Sequence, residues 1–148
     1  MSEKIRPYQS TDLEDLLETW ESASAVGHPF LDRDFLDQER KNIEELYLPN
    51  TETWVWEEAG QVVGFVSLMG TEVGALFVRV EHHGRGLGRA LMDKARSLRD
   101  DLEVEVFEEN RVGRAFYERY GFVPIETKVH EATGLVVLRL KLDPEAPG

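Results

Sequence analysis

The sequence predicts a single-domain fold of the mixed α/β (α+β) class: a mostly antiparallel sheet flanked by helices, in the order β-α-α-β-β-β-α-β-α-β-β. Three observations predict it. The chain has 148 residues, the size of one domain that buries about two-thirds of its unfolded surface in one core. Three alternating apolar segments follow one another in the middle of the chain, which implies antiparallel hairpins. A strand–helix–strand unit comes next, which implies one local parallel pair with a right-handed crossover. A doubly wound sheet would alternate strands and helices throughout, and this chain does not.

The elements are read in order as follows. Lys4 to Tyr8 is the first strand. Ser10 and Thr11 precede a helix, with Thr11 and Glu14 spaced as a capping box. Within it Leu13, Leu16, Leu17, Trp20 and Ala23 mark one buried face. Gly27-His28-Pro29 breaks it, and a second helix starts near Asp32, carries Phe35, Ile43, Leu46 and Tyr47, and ends before Leu48-Pro49-Asn50. Thr53 to Glu57 and Val62 to Leu68 form a hairpin around Ala59-Gly60, and Gly74 to Val80 is the next strand. Leu87 to Leu98 is helical, with Leu87, Ala90, Leu91, Ala95 and Leu98 on one stripe. Leu102 to Phe107 is a strand. Asn110 caps a helix from Arg111 to Tyr120, which Gly121 ends as a left-handed cap. Phe122 to Val129 and Leu135 to Leu142 finish the sheet around a turn containing Gly134. The domain is read as residues 1–142, with 143–148 (Asp-Pro-Glu-Ala-Pro-Gly) a frayed tail.

Composition narrows the function classes. Lys and Arg total 17 against 29 Asp and Glu, a net charge of −12. That disfavours nucleic acid and anionic membranes, both of which need clustered Lys and Arg. There are no cysteines, which removes disulfides, thiol nucleophiles and Cys-based zinc sites. The longest mostly apolar run, Val62 to Met69, is far short of the ~20 residues that span a bilayer. Met1-Ser2-Glu3-Lys4 has no apolar stretch behind it, so no secretion signal is read and a cytoplasmic protein is expected. His82 and His83 are adjacent and diverge in extended chain, so no metal site is expected. There is no Gly-x-Ser-x-Gly elbow around Ser67.

The stretch that carries chemistry is Leu76-Phe77-Val78-Arg79-Val80-Glu81-His82-His83-Gly84-Arg85-Gly86-Leu87-Gly88-Arg89-Ala90-Leu91. A buried strand runs into a glycine-rich loop that opens a helix. The helix start presents unpaired N–H groups and the positive end of its dipole. Glycines at 84, 86 and 88 let an anion approach the backbone, so the physical reading is a phosphate or pyrophosphate site. A tight strand-to-helix turn without a ligand is the alternative. A Walker A loop would need Gly-Lys-Ser/Thr where Leu87-Gly88-Arg89 stands, and the dinucleotide fingerprint would need a glycine at Arg89.

At this point the chain resembles the GCN5-related N-acetyltransferases. Their main signature, Gln/Arg-x-x-Gly-x-Gly/Ala after a strand, reads here His83-Gly84-Arg85-Gly86-Leu87-Gly88, with His83 departing from the first position. Their second, a strand ending near Asn and a short helix ending Phe-Tyr-x-x-x-Gly-Phe, reads here Glu108-Glu109-Asn110 through Phe116-Tyr117 to Gly121-Phe122. With the element order, the resemblance covers nearly the whole chain. Thr19-Trp20-x-Ser22, His28-Pro29-Phe30-Leu31 and Trp54-Val55-Trp56 after Leu48-Pro49 resemble a small bacterial subgroup of YjaB type.

The resemblance implies an enzyme that moves the acetyl group of acetyl-CoA directly to a primary amine, of a small molecule or a peptide, in a ternary complex without a metal. It implies a V-shaped cofactor cleft between Gly74–Val80 and Leu102–Phe107. The backbone of Leu76, Phe77 and Val78 would pair with the pantetheine arm. The amides of Gly84, Arg85, Gly86, Leu87, Gly88 and Arg89 would hold the pyrophosphate. Asn110 would bond the pantetheine region while also capping its helix. Tyr117 stands at the general-acid position, where a phenol protonates the departing thiolate. A core aromatic beside Phe116 and Phe122 is the other reading of it, and Tyr120 is the neighbouring rival. For the base two residues stand open: Glu105, otherwise a charge on an exposed sheet face, and His28, otherwise a turn residue before Pro29. Trp20, His28, Phe30 and Trp56 are expected to wall the acceptor pocket, or else are core.

A non-catalytic acyl-CoA sensor on the same fold is the rival reading; a homodimer through the C-terminal sheet edge is a further expectation. Charge is uneven along the chain: Arg79 to Arg99 holds six basic and two acidic residues, +4, and the remainder carries −16. The positive stretch coincides with the glycine loop, and the acidic remainder fits a cationic acceptor or a plain solvated surface.

Overall fold

The computed structural model describes residues 4–147. Met1 to Glu3, part of the segment read for a secretion signal, and Gly148 lie outside the described residues. The strands are β1 (Ile5–Pro7), β2 (Glu52–Glu58), β3 (Gln61–Met69), β4 (Glu72–Val78), β5 (Glu103–Phe107), β6 (Phe122–Val129) and β7 (Val136–Leu142). The helices are α1 (Leu13–Gly27), α2 (Arg33–Asn42), α3 (Leu87–Leu98) and α4 (Arg111–Tyr120). Together they form one seven-stranded sheet in the order β1-β2-β3-β4-β5-β7-β6, in which only β4 and β5 run parallel. The mixed, mostly antiparallel sheet and its element order are those expected.

Strand β3 feeds two cores, its alternation shifted by one residue at the bulge opposite Trp56/Glu57. Val62 and Phe65 pack with Leu16, Leu17 and Trp20 of α1 on one face. Val63 and Val66 pack with Leu87, Leu91, Met92 and Ala95 of α3 on the other. Gly64 lets α3 lie close: a Cβ there would come within 3.1 Å of Leu91 Cδ1. Tyr117, Tyr120 and Phe122 extend the α3-side core to α4. Among the described residues no helix is long and apolar enough to cross a membrane.

Four local features differ from expectation, each for a readable reason. The entry to α1 is built by Asp12, not by Thr11 and Glu14. The Asp12 carboxylate accepts from Gln9 N at 2.8 Å and from both terminal nitrogens of Arg6 at 2.8 Å. The second helix does not run straight to Leu48; it widens into a π-turn over Ile43–Tyr47, which buries Ile43 and leaves Leu46 and Tyr47 exposed. Strand β4 ends at Val78 because Arg79 turns inward. The tail is not frayed over its described part. Asp143 N bonds Gly121 O, Arg96 donates to the carbonyl of Ala146, and a side chain at Gly121 would collide with Ala146.

Arg79 is a buried cation that joins three elements. Its Nε donates to Thr19 Oγ1 at 3.0 Å and Val62 O at 3.3 Å, and its Nη2 donates to Asp15 O at 3.1 Å. It therefore ties α1 to β3 at the point where the chain leaves β4. An Arg79→Met variant keeps the apolar stem and deletes these charge-assisted bonds. It is expected to lose about 2 kcal/mol or more of stability by urea unfolding.

Candidate active site

Strands β4 and β5 pair only at Glu72↔Glu103 and Val73↔Val104. Beyond those pairs they part, although both lie in the middle of the sheet. A cleft of about 830 Å³ opens between them, a volume typical of small-molecule sites. Leu76, Phe77 and Val78 form one wall and Val104 to Phe107 the other. Tyr117 of α4 and the start of α3 close one side, while Trp20 of α1 and His28 just after that helix close the opposite side.

The glycine loop is shaped for backbone exposure. Gly84 and Gly86 adopt φ of +77° and +83°, with open space where a Cβ would stand. Gly88 packs on Phe116, 3.3 Å from where its Cβ would be. The first bond of α3 is Ala90 N to Gly86 O at 3.0 Å, so the amides of Leu87, Gly88 and Arg89 precede the helical ladder. His83 explains its own departure from the family signature. Its Nε2 donates to Val78 O at 2.7 Å, tying the loop to the end of β4.

Charge at the loop is thinner than the sequence count implies. Arg79 is spent inside, Arg96 on the tail, Arg99 on Glu52, and Lys94 lies over Trp54. Arg85 bends back to His82 at 2.7 Å and Glu58 at 3.3 Å. Arg89 lines the cleft and stacks on Tyr120, 5.1 Å from its ring centre.

The two tyrosines of α4 are distinguished by their hydroxyls. Tyr120 donates to Asp93 of α3, and burial and that carboxylate push its pKa up to about 12. Tyr117 packs at 5.5 Å on both Phe116 and Phe122 and lines the cleft, and its hydroxyl has no hydrogen-bond partner among the described residues. Burial raises its pKa above the ordinary tyrosine value, so it stays a proton donor.

Asn110 joins α4 to α1. Its Oδ1 accepts from Gly113 N at 2.9 Å as the helix cap, and its Nδ2 donates to His28 Nε2 at 3.2 Å. Gly27 makes room, since a Cβ there would stand 3.2 Å from Asn110 Oδ1. The His28 imidazole sits edge-on against Phe30, Phe77 and Phe107, and burial lowers its pKa to about 4.

Residues 49–124 match the family model of the acetyltransferase (GNAT) domain. The chain is 34% identical over 132 residues to the peptidyl-lysine N-acetyltransferase YiaC of Escherichia coli, covering 88% of this chain and 90% of that protein. The chain belongs to the GNAT acetyltransferase family. It is similar also to the peptidyl-lysine N-acetyltransferase YjaB of E. coli, at 33% identity over 80% of each chain. The solution structure of apo YjaB from E. coli superposes with a TM-score of 0.83 at 28% identity, covering 93% of this chain and 95% of that one. A PaiA N-acetyltransferase of Thermoplasma acidophilum, solved with coenzyme A, shares the fold at a TM-score of 0.73 and 15% identity over 91% and 96% of the chains. The protein is thus a GNAT N-acetyltransferase, and its resemblance to the YjaB subgroup holds.

Within this acetyltransferase most of the expected site residues meet at one cleft: Trp20, His28, Leu76, Phe77, Val78, Gly84, Gly86, Leu87, Gly88, Arg89, Glu105, Asn110 and Tyr117 all line it. Three do not. Trp56 is in the α3-side core, on the far face of the sheet from Trp20, because strand alternation sends it there. Phe30 lies in a separate shallow pocket beside Glu108 and Arg111, touching the cleft only through its edge contacts with His28 and Phe107. The Arg85 side chain turns to Glu58, whereas the expectation for it concerned its backbone amide in the loop. Glu105 lines the cleft but is held in an ion-pair ladder with Lys128 and with Arg139 at 2.9 Å. Burial works to raise its pKa, and the two cations outweigh it and set it below the usual carboxylate range.

Among the lining residues that escape sequence reasoning are Phe35, Glu39 and Tyr47, brought in by α2 and the π-turn after it, and His130. His130 reaches the cleft through sheet order. The β5–β7 register Phe107↔Val137 brings the β6–β7 turn against the end of β5, a juxtaposition no local pattern announces.

The buried His28 gives a pH prediction. Its folded pKa is below its unfolded one, so the unfolded chain binds more protons between pH 6.5 and 4 and stability falls as pH falls through that window. Between pH 7 and 5 this residue is expected to remove about 2 kcal/mol. His28→Gln, which still accepts from Asn110, should lose that increment in urea titrations at the two pH values.

Proposed function

We propose that this acetyltransferase carries acetyl from acetyl-CoA directly to the side-chain amine of lysine in a peptide or protein, through a ternary complex. The observation that carries the reading is the Tyr117 hydroxyl, held without a protein partner at the cleft between β4 and β5. The similarity to two peptidyl-lysine N-acetyltransferases supports the acceptor class. With no cysteine in the chain, an acetyl-cysteine intermediate is excluded, which supports direct transfer.

In this reading the pantetheine arm lies along β4 at Leu76 to Val78, where the parting from β5 leaves the strand without its neighbour. The Val78 carbonyl already accepts from His83, so Leu76 offers the freer backbone edge. The pyrophosphate sits on the amides from Gly84 through Arg89, supported by the two positive-φ glycines and by helix α3 behind them. The Asn110 side chain acts mainly by fixing α4 against His28, which sets the position of Tyr117. The lysine nitrogen attacks the thioester carbon, the C–N bond forms, the C–S bond breaks, and Tyr117 gives its proton to the sulfur.

The rival reading, a non-catalytic acyl-CoA sensor, has no use for a cleft-facing phenol beside a second tyrosine already bonded to Asp93. The exposed edge strand β6, with Val123, Ile125 and Val129 at its surface, supports pairing of two copies.

Two variants test the reading. Tyr117→Phe should keep acetyl-CoA affinity by calorimetry and lose tenfold or more in kcat in a thiol-release assay with lysine peptides. Unchanged kcat would remove Tyr117 from the chemistry, and no turnover by the parent protein with any amine would favour the sensor. Gly86→Val forces a β-branched residue to φ near +83° and should weaken acetyl-CoA binding about tenfold.

A further inference from the structure

Direct transfer leaves one requirement unassigned. A lysine amine is protonated near neutral pH, and its lone pair must be freed before it attacks. Both residues expected for this task are engaged. Glu105 is paired with Lys128 and Arg139. His28 has its Nε2 lone pair occupied by the Asn110 amide and sits among three aromatic rings.

From the geometry we infer that His130, in the β6–β7 turn, is the proton acceptor for the acceptor amine. The inference rests on the lysine-acetyltransferase reading above. His130 is half-buried and lines the same cleft as Tyr117. Its ring stands edge-on to Phe107 at 5.3 Å and to Phe35 at 5.9 Å, which fixes it between the end of β5 and α2. The turn beneath it is braced: His130 N bonds Leu135 O at 2.8 Å and Gly134 N bonds His130 O at 2.7 Å. Nδ1 lies 3.1 Å from Thr133 Oγ1. That oxygen also accepts from Leu135 N at 3.2 Å and has room for the Nδ1–H. In this tautomer Nε2 carries a bare lone pair, and it has no protein partner among the described residues.

The charged and titratable groups around it are Glu39 of α2, Glu105 of β5 with its partners Lys128 and Arg139, His28 across the Phe107 ring, and Glu131 beside it in the turn. Glu39 carries hydrogen bonds from Tyr47 and Asn42 at 3.3 Å and no ion pair among the described residues, so an approaching ammonium meets a carboxylate on this side. The proton balance is as follows. Nε2 takes one proton from the ammonium and passes it to water. The neutral nitrogen attacks the thioester carbon. The second proton leaves the nitrogen of the adduct, and its equivalent ends on the CoA sulfur through Tyr117.

The test compares the parent protein with His130→Phe, which keeps the edge contacts, and His130→Gln. Each is assayed with a lysine peptide and with the same peptide carrying an aminooxy group, neutral at pH 7, in place of the amine. Both variants should bind acetyl-CoA normally by calorimetry and lose about a hundredfold in kcat on the lysine peptide at pH 7. Their rate should climb with pH above 8 as free amine accumulates, and the loss should shrink to threefold or less on the aminooxy peptide. Equal losses on both peptides, or a His130→Phe variant with parental rate and pH profile, would overturn the assignment. Absence of turnover by the parent protein with either peptide would instead sink the transferase reading, and this assignment with it.

Discussion

The structure depends on the parting of β4 and β5. Two parallel strands in the middle of a sheet ordinarily stay paired along their length, because each unpaired backbone group there costs free energy. Here they pair at two positions and then separate. The cost is offset in part by the protein itself. His83 satisfies the Val78 carbonyl from the loop side, and Arg79 N still bonds Val63 O on the other side of β4. The remaining exposed edge is a strand-like surface waiting for a ligand with amides of its own, which is the chemistry of a pantetheine arm.

The parting also decides where everything else must lie. Helix α3 crosses from β4 to β5 on one face and begins at the mouth of the wedge, so its free amides face the opening. Helix α4 leaves β5 at the same end, capped by Asn110, and delivers Tyr117 to the cleft wall. Helix α1 covers the opposite face and meets α4 through the His28–Asn110 hydrogen bond. Arg79 anchors α1 to β3 at the root of the glycine loop. The wedge is thus braced by polar contacts from α1, α4 and the glycine loop.

Much of this was legible in the sequence because it rests on local signals. The helices from Leu87 and from Arg111 begin and end where their stripe and caps place them, and the glycine loop carries its positive-φ positions in plain view. What was not legible is long-range. Trp56 reads as one more aromatic near the pocket until register sends it to the α3 side. Glu105 reads as a free carboxylate until β6 and β7 supply Lys128 and Arg139. His130 lies in a turn remote in sequence from the motif and enters the cleft because β7 is inserted between β5 and β6. The positive stretch from Arg79 to Arg99 reads as a basic patch, yet most of its side chains are spent on the fold. Net charge says which ions a segment owns, and only tertiary contacts say which remain free to act.

The central claim is that the unpaired edge of β4 and the glycine loop are the acyl-donor site. Amide hydrogen exchange with and without acetyl-CoA tests it most directly. The account predicts new protection concentrated at Gly74 to Val78 and Gly84 to Arg89, with the paired strands β1 and β2 and the outer face of β6 unchanged. Saturating acetyl-CoA that leaves those two segments exchanging at their free rates, or that protects another surface instead, would contradict it.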